Sequence, residues 1–366
     1  MEILVLPGDG IGPEITNATL AVLRAADSKL QLGLSFETME IGLASLKTEG
    51  TTLPDRVMKR IPEVDGVILG PVSHYQYPPR DKGGANPSAE LRVAFELGAN
   101  IRPCRSYPDL TILRKPMDLV IVRECTEGFY ADRNMFLGTA EFMPDAHTAL
   151  SIRKISSRAC ERVAHAAFRL AQKRRRKVTA VHKANVLKLS DGFFLNEIRR
   201  VAADYPEIEL EELIVDATAA LLIRSPERFD VIVTTNMFGD ILSDEASELC
   251  GSLGLGGSIN AGETICVAQA QHGSAPDIAG LVIANPTSLI LSAAMLLRWR
   301  GERDGNNRLL DGAALIEAAV DVVLADPGLR TRDIGGARST DEFAQSVVDA
   351  IKTRASDSEF FRNRRK

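Results

Sequence analysis

An α/β protein with much parallel sheet is the fold class the sequence predicts, and three observations predict it. Short runs rich in Val, Ile and Leu alternate along the chain with stretches of helical spacing. Several of those runs are continuously apolar rather than alternating, as strands covered on both faces must be. The length, 366 residues, fits two domains or one large α/β unit.

Taken in order, residues 3–6 form a buried strand and 13–26 a helix with Pro13 in its first turn, where a missing N–H is harmless. Val67-Ile68-Leu69 is a short buried strand stopped by Gly70-Pro71. The segment 88–98 has helical spacing, with Leu91, Phe95 and Leu97 apolar. A strand over 117–123, an irregular stretch around 131–150 and a long helix near 156–174 follow. Val178–Val181, Leu213–Val215 and Val231–Thr234 read as strands, each running into a helix. A glycine-rich loop over 251–257 interrupts the pattern, as a crossing between domains or a ligand-facing loop. Helices near 286–300, 312–325 and 340–352 close the fold, and the charged tail 355–366 is frayed.

Hydrophobic residues at 45% and charged residues at 25% are ordinary for a globular protein. A net charge of −5 gives no general attraction to nucleic acid or anionic membrane. The run Lys173-Arg174-Arg175-Arg176-Lys177 reads as a solvated helix C-terminus, where cations complement the helix dipole. Five scattered cysteines without CxxC spacing suggest reduced thiols. With no signal-peptide pattern and no run of about eighteen apolar residues, the expectation is a cytoplasmic protein without membrane or nucleic-acid partners.

The glycines of Pro7-Gly8-Asp9-Gly10-Ile11-Gly12-Pro13-Glu14 are wrongly spaced for the dinucleotide fingerprint, and a tight strand-to-helix turn explains them. Arg92 falls on a helix, Arg102 on an extended segment and Arg123 at the end of a strongly apolar strand. Surface arginines are the plain alternative, but a planar fork at a strand end suits a carboxylate clamp. Asp240 and Asp244 stand four apart on one side of a helix start, and Asp216 follows an apolar strand. They read either as helix-capping acids or, without a His or Cys cluster, as hard oxygen ligands for Mg²⁺ or Mn²⁺. Lys183 leaves a strand as a candidate base and Tyr130 is a matching acid, each with an ordinary structural role as the alternative. His74, His147 and His165 have no triad or metal spacing.

Along almost its whole length the chain resembles the β-decarboxylating dehydrogenases, which include isopropylmalate, isocitrate, homoisocitrate and tartrate/D-malate dehydrogenases. The motifs, in order, are GDGIGPE at 8–14, LR then ANIRP at 91–103, VRECTEGFY at 122–130 and HKANVLKLSDGFF at 182–194. NMFGDILSDEAS at 236–247, GSLGLGGS at 251–258, HGSAPDIAG at 272–280, ANP at 284–286 and TRDIGG at 331–336 complete them. The resemblance implies that family's two-domain α/β fold, not a Rossmann fold, with 1–97 plus 252–366 as one domain and 98–251 as a second supplying dimer contacts.

It also implies roles. Arg92, Arg102 and Arg123 match the arginines that grip substrate carboxylates. Asp216, Asp240 and Asp244 match the metal-binding aspartates. Lys183 matches the residue that helps remove the hydroxyl proton, and Tyr130 the one that protonates the enol. The family's sites form between subunits of a homodimer, so Lys183 and Asp216 reach in from the partner chain. Residues 272–280 look like the loop around the cofactor's adenosine, with His272, Gly273, Ser274, Ala275 and Asp277 in contact and Asn285 on the adenine. Asp277 stands where users of NAD carry an acid for the ribose hydroxyls.

The chain also departs from that pattern. Gln269-Ala270-Gln271 precedes His272, where the family usually has Glu at the first position. Where isopropylmalate enzymes carry a Glu and two leucines, this chain has Ala85, Ser88 and Ala89. Ser88 and Asn86 therefore point to a polar or small C3 substituent, with Tyr75 or Tyr77 of the 73–84 loop as an alternative apolar wall. The expected reaction is NAD-linked, Mg²⁺- or Mn²⁺-dependent oxidative decarboxylation of a 3-substituted malate. The alternatives are an isopropylmalate dehydrogenase proper, a non-catalytic regulatory subunit on the same fold, and a sugar- or nucleotide-binding α/β protein.

Overall fold

The computed structural model describes residues 1–130, 135 and 138–353. Ten strands form one sheet: β1 (Glu2–Leu6), β2 (Ser35–Thr38), β3 (Gly66–Leu69), β4 (Ala99–Arg105), β5 (Asp118–Glu124), β8 (Lys177–His182), β9 (Glu209–Ile214), β10 (Val231–Thr234), β11 (Ile259–Ala261) and β12 (Cys266–Gln269). Their order is β2-β1-β3-β12-β11-β4-β5-β10-β8-β9. Pairing is parallel except where β11 meets β12 and β4, and where β4 meets β5. Strands β6 (Glu141–Asp145) and β7 (Thr148–Ser151) make a separate antiparallel hairpin.

The helices are α1 (Gly12–Leu30), α2 (Gly42–Glu49), α3 (Asp55–Arg60), α4 (Pro87–Ala94), α5 (Ser157–Gln172), α6 (Ser190–Ala202), α7 (Val215–Arg224), α8 (Asn236–Cys250), α9 (Thr287–Asp304), α10 (Asn307–Ala325) and α11 (Thr340–Thr353). One core packs β1 against α1 and α9 to α11 through Ile3, Ile15, Leu23, Leu289, Leu315 and Phe343. Another, within residues 99–233, packs α5 and α6 on β5, β8 and β10 through Val122, Val163, Phe168, Phe194 and Val233. Helix α5 shows why it forms: Ser156 accepts a hydrogen bond from Ala159 N at 3.4 Å, and the buried Ala159, Val163, Ala167 and Ala171 repeat every four residues.

Several expectations change in detail. The stretch around 131–150 is not irregular throughout, since β6 and β7 occupy 141–151 with Phe142, Met143 and Leu150 exposed. Without one buried face these strands lack the alternation that marks a hairpin in sequence. Residues 131–134 and 136–137, and the tail 355–366, lie outside the described residues. Helix α4 ends at Ala94, before Glu96 takes a positive φ of 50°. Asp216 lies in the first turn of α7, because Val215 opens that helix instead of ending the strand.

The basic run follows the end of α5 with Lys173, Arg175 and Arg176 exposed, and part of it is also paired. Arg174 donates to Asp230 at 2.7 Å and to Asp118 at 2.8 Å, and Arg175 N donates to Asp230 at 2.8 Å. All five cysteines are free and buried, and burial pushes the thiols up, Cys125 to about 11 and Cys104 to about 12. Among the described residues no helix is long and apolar enough to cross a membrane.

Candidate active site

The sheet's pleat assembles the site. Asn260 of β11 pairs with Asn100 of β4, Asn100 with Arg123 of β5, and Arg123 with Thr234 of β10. Directly paired residues share a face, as do residues two apart on one strand. Arg102, two beyond Asn100, and Gln269, two beyond the Val267 that pairs with Asn260, therefore join the same polar row. That row lies in an otherwise apolar sheet, on the side where α8 and α4 cross its end.

Two of the arginines are buried and already paired. Arg123, 3% exposed, donates Nε and Nη2 to Asn236 Oδ1 at 3.0 and 2.6 Å, and Nη1 to Asp240. Arg102, 6% exposed, donates to Asn100 at 2.7 Å, Ser243 at 2.7 Å and Asp244 at 2.9 Å, with Asp240 at 3.5 Å. Arg92 differs. Its Nε donates to Asn260 Oδ1 at 3.0 Å, and it has no carboxylate partner among the described residues. Burial, with Arg123 and Arg102 nearby, lowers it to about 10, so it stays charged at neutral pH with its Nη groups available. Burial lowers Arg102 also.

Asp240 and Asp244 lie one turn apart on α8, as their spacing requires. Asp240 is shared among Arg123, Arg102 and the Tyr130 hydroxyl, the last at 3.5 Å. Gln271 Nε2 reaches Asp244 Oδ1 at 3.3 Å and the Ser243 carbonyl at 3.1 Å. A cleft of about 310 Å³ is lined by Ser88, Arg92, Arg102, Arg123, Tyr130 and Asp240, together with Gln269, Gln271, His272 and Gly273.

Lys183 and Asp216 form a second group. They follow the neighbouring strands β8 and β9, whose register pairs His182 with Ile214, and Lys183 Nζ bonds Asp216 Oδ1 at 2.6 Å. The Lys183 hydrogen bond is the main cause holding the Asp216 carboxyl below its ordinary value. The fully buried Asp191 fixes the turn by accepting from Lys183 N at 2.5 Å. Neither residue lines the cleft. Among the described residues no group of three His, Cys, Asp or Glu side chains could hold a metal within one chain. Asp240 and Asp244 thus come together, and Asp216 stays apart from them.

The loop 272–280 packs on the first turn of the chain. Ile11 N donates to the Ser274 carbonyl at 2.9 Å, and Ser73 Oγ to Ser274 Oγ at 2.7 Å. Gly10, at φ +58°, is required there, since a Cβ would lie 2.0 Å from the Ser274 carbonyl oxygen. Ala275 also has positive φ, and Asp277 is exposed. His272 Nε2 is buried without a partner among the described residues, and burial lowers the His272 pKa. Asn285 donates to Asp333 at 2.9 Å and accepts from Thr287 N at 3.0 Å. Asp9 accepts from Leu43 N at 2.7 Å, from Ser73 N at 2.9 Å and from the Tyr77 hydroxyl. Tyr77 is therefore tied away, and from that loop His74 and Tyr75, the latter 93% exposed, stand at the cleft.

Sequence reasoning gave no role to Asn100, Asn236, Asn260 or Gln271. The first three are buried amides that fix the arginines; Asn100 lies within ANIRP, Asn236 opens NMFGD and Asn260 follows the glycine-rich loop.

Residues 2–347 match the family model described as isocitrate/isopropylmalate dehydrogenase. The chain is 42% identical to a 3-isopropylmalate dehydrogenase of Methanothermobacter thermautotrophicus, covering 95% of this chain and 98% of that one. It is also 42% identical to the isocitrate/homoisocitrate dehydrogenase of Thermus thermophilus, covering 96% and 99%. The crystal structure of isocitrate dehydrogenase from Methylococcus capsulatus matches with a TM-score of 0.84 at 38% identity, covering 96% of this chain and 99% of that one. The chain belongs to the isocitrate/isopropylmalate dehydrogenase family and is a dehydrogenase with that family's α/β fold.

Proposed function

We propose that this dehydrogenase carries out the oxidative decarboxylation of a 3-substituted malate, using NAD and Mg²⁺ or Mn²⁺, and that it works as a homodimer. The observation that carries the reading is Arg92, a charged guanidinium facing a polar cleft without a carboxylate of its own, beside Arg102 and Arg123. Such a group awaits an anion. Arg102 and Arg123 supply a second clamp once their hold on Asp240 and Asp244 is exchanged for substrate.

The residues fit the implied groups. Asp240 and Asp244 offer hard oxygens suited to Mg²⁺ or Mn²⁺, and a partner's copy of Asp216 would complete the set. The unpartnered His272 Nε2, the open flank of Gly273 and the exposed Asp277 suit an adenosine and its ribose hydroxyls. When bound, NAD supplies the hydride acceptor and the cation the Lewis acidity. The arginines orient the acid, the partner's Lys183 takes the hydroxyl proton, and Tyr130 returns a proton to C3. The dimer is supported by exposed Val186, Leu189, Ile223 and Ile241, and by the apolar hairpin residues Phe142, Met143 and Leu150, all in the half that bears Lys183 and Asp216.

Retention of Lys183, Tyr130 and the aspartates argues against a regulatory subunit, and the relatives' names keep isopropylmalate as the second substrate reading. The test is NAD reduction and CO₂ release with malate, tartrate, isocitrate, homoisocitrate and isopropylmalate. Turnover without CO₂ release, or none with any of these acids, overturns the proposal.

A further inference from the structure

Gln271 lines the cleft and joins the start of the 272–280 loop to α8, and its hydrogen bonds fix which way its amide faces. The Ser243 carbonyl can only accept, so the group 3.1 Å from it is Nε2. The same Nε2 donates to Asp244 Oδ1 at 3.3 Å. Oε1 then faces the Ser247 hydroxyl, which donates to it at 3.2 Å. The backbone is held as well, since Gln271 N donates to Ser288 Oγ at 3.0 Å. Gly256 leaves the room for this amide: a Cβ there would stand 2.2 Å from Gln271 Oε1, the movable end of the side chain.

Asp244 is half exposed, and its two oxygens are unlike. Oδ1 accepts from Arg102 Nη1 at 2.9 Å as well as from Gln271, whereas Oδ2 has no partner among the described residues. One oxygen is held by the protein and the other is left open, which suits a carboxylate that gives a single oxygen to a cation. Arg102 is a shared partner, because its guanidinium also serves the acid in the reaction proposed above. Gln271 is neutral and attracts no carboxylate strongly, so it keeps its hold on Oδ1 when Arg102 is drawn to the acid.

We propose that Gln271 is a positioning residue for the divalent cation: it fixes the Asp244 carboxylate with Oδ1 toward the protein and Oδ2 free for the metal. This rests on the reading of Asp240 and Asp244 as metal ligands given above. Partners of this kind act by orienting a ligand that others supply, and losing one costs roughly ten- to a hundredfold in metal affinity or activity. Gln271 itself touches neither metal nor substrate. Its removal therefore acts on the concentration of cation needed and leaves the reaction at saturating cation nearly as fast.

The test titrates the full chain with Mn²⁺ alone and follows the unbound ion by electron paramagnetic resonance. Gln271→Met keeps the length of the side chain without its donor, and should weaken Mn²⁺ binding by roughly tenfold at unchanged stoichiometry. Gly256→Ala keeps the donor but displaces it, and should weaken binding in the same direction. Added to Gln271→Ala, it should bring no further loss, because the amide it would displace is already gone. In kinetics, the Mn²⁺ concentration for half-maximal rate should rise in Gln271→Met, with kcat at saturating Mn²⁺ within about threefold of wild type. Equal Mn²⁺ affinity in wild type and Gln271→Met, or losses that add in the double variant, overturns the positioning role while the metal site stands. No Mn²⁺ binding by wild type overturns both.

Discussion

Asn236→Ala tests the frame that holds Arg123. The asparagine is 1% exposed, accepts from Arg123 Nε and Nη2 through one oxygen, and donates Nδ2 to the Glu127 carbonyl at 2.8 Å. Hydrogen bonds to a charged group are worth about 1.5–3 kcal/mol and neutral ones about 1 kcal/mol. Because one oxygen serves both arginine donors, its contribution is taken once. The substitution should therefore destabilise by about 2.5–4 kcal/mol. Water offers little relief, since Arg123 is itself only 3% exposed. Freed from Asn236, Arg123 should settle further onto Asp240, so KM for the acid should rise as well. Urea denaturation followed by circular dichroism measures the first effect, and steady-state kinetics the second. A stability change under about 0.5 kcal/mol with an unchanged KM would refute the view that Asn236 positions the clamp. Asn236→Asp, which keeps the acceptor, should recover most of the stability.

Lys183→Met should leave the fold nearly as stable, because Asp216 is 61% exposed and such pairs contribute about 0–1 kcal/mol; turnover should fall roughly 10²–10⁴-fold, and purified mutant within tenfold of wild type would exclude Lys183 as the proton acceptor. Chelator should abolish activity and Mg²⁺ or Mn²⁺ restore it, while Asp244→Asn should raise the cation concentration needed by at least tenfold (roughly); full activity in excess EDTA contradicts this. NAD should be preferred to NADP on account of Asp277, and Asp277→Lys should narrow the gap; a lower KM for NADP in wild type tells against it. Gly10→Ala should displace the Ser274 carbonyl and raise KM for NAD with little change in KM for the acid, and equal effects on both would locate the loop's role elsewhere.

The buried parallel strands were legible because burial on both faces writes a continuous apolar run, as in Val231–Thr234. Arg123 was legible as a charge ending such a run. The short β11, of three residues, and the solvent-facing hairpin β6–β7 carry no comparable signal. Asn100, Asn236 and Asn260 were opaque for another reason: a buried amide and a surface amide look alike in one sequence. What distinguishes Asn100 and Asn260 is the row across β11, β4 and β5, and what distinguishes Asn236 is its place at the start of α8 against Arg123, all between residues far apart along the chain. The basic run was legible as an exposed helix end, whereas the partners of Arg174 and Arg175, Asp118 and Asp230, are likewise remote.

Asp240 has a consequence for how ligands arrive. It is bonded to Arg123 and lies 3.5 Å from Arg102, so its carboxylate and those guanidinium groups occupy one another. An anion that takes over those guanidinium groups sets the carboxylate loose, and a cation that captures the carboxylate sets the guanidinium groups loose. Each therefore removes the competitor of the other. Under the reaction proposed here, acid and metal must bind with positive linkage, and the factor by which one tightens the other is returned in equal measure.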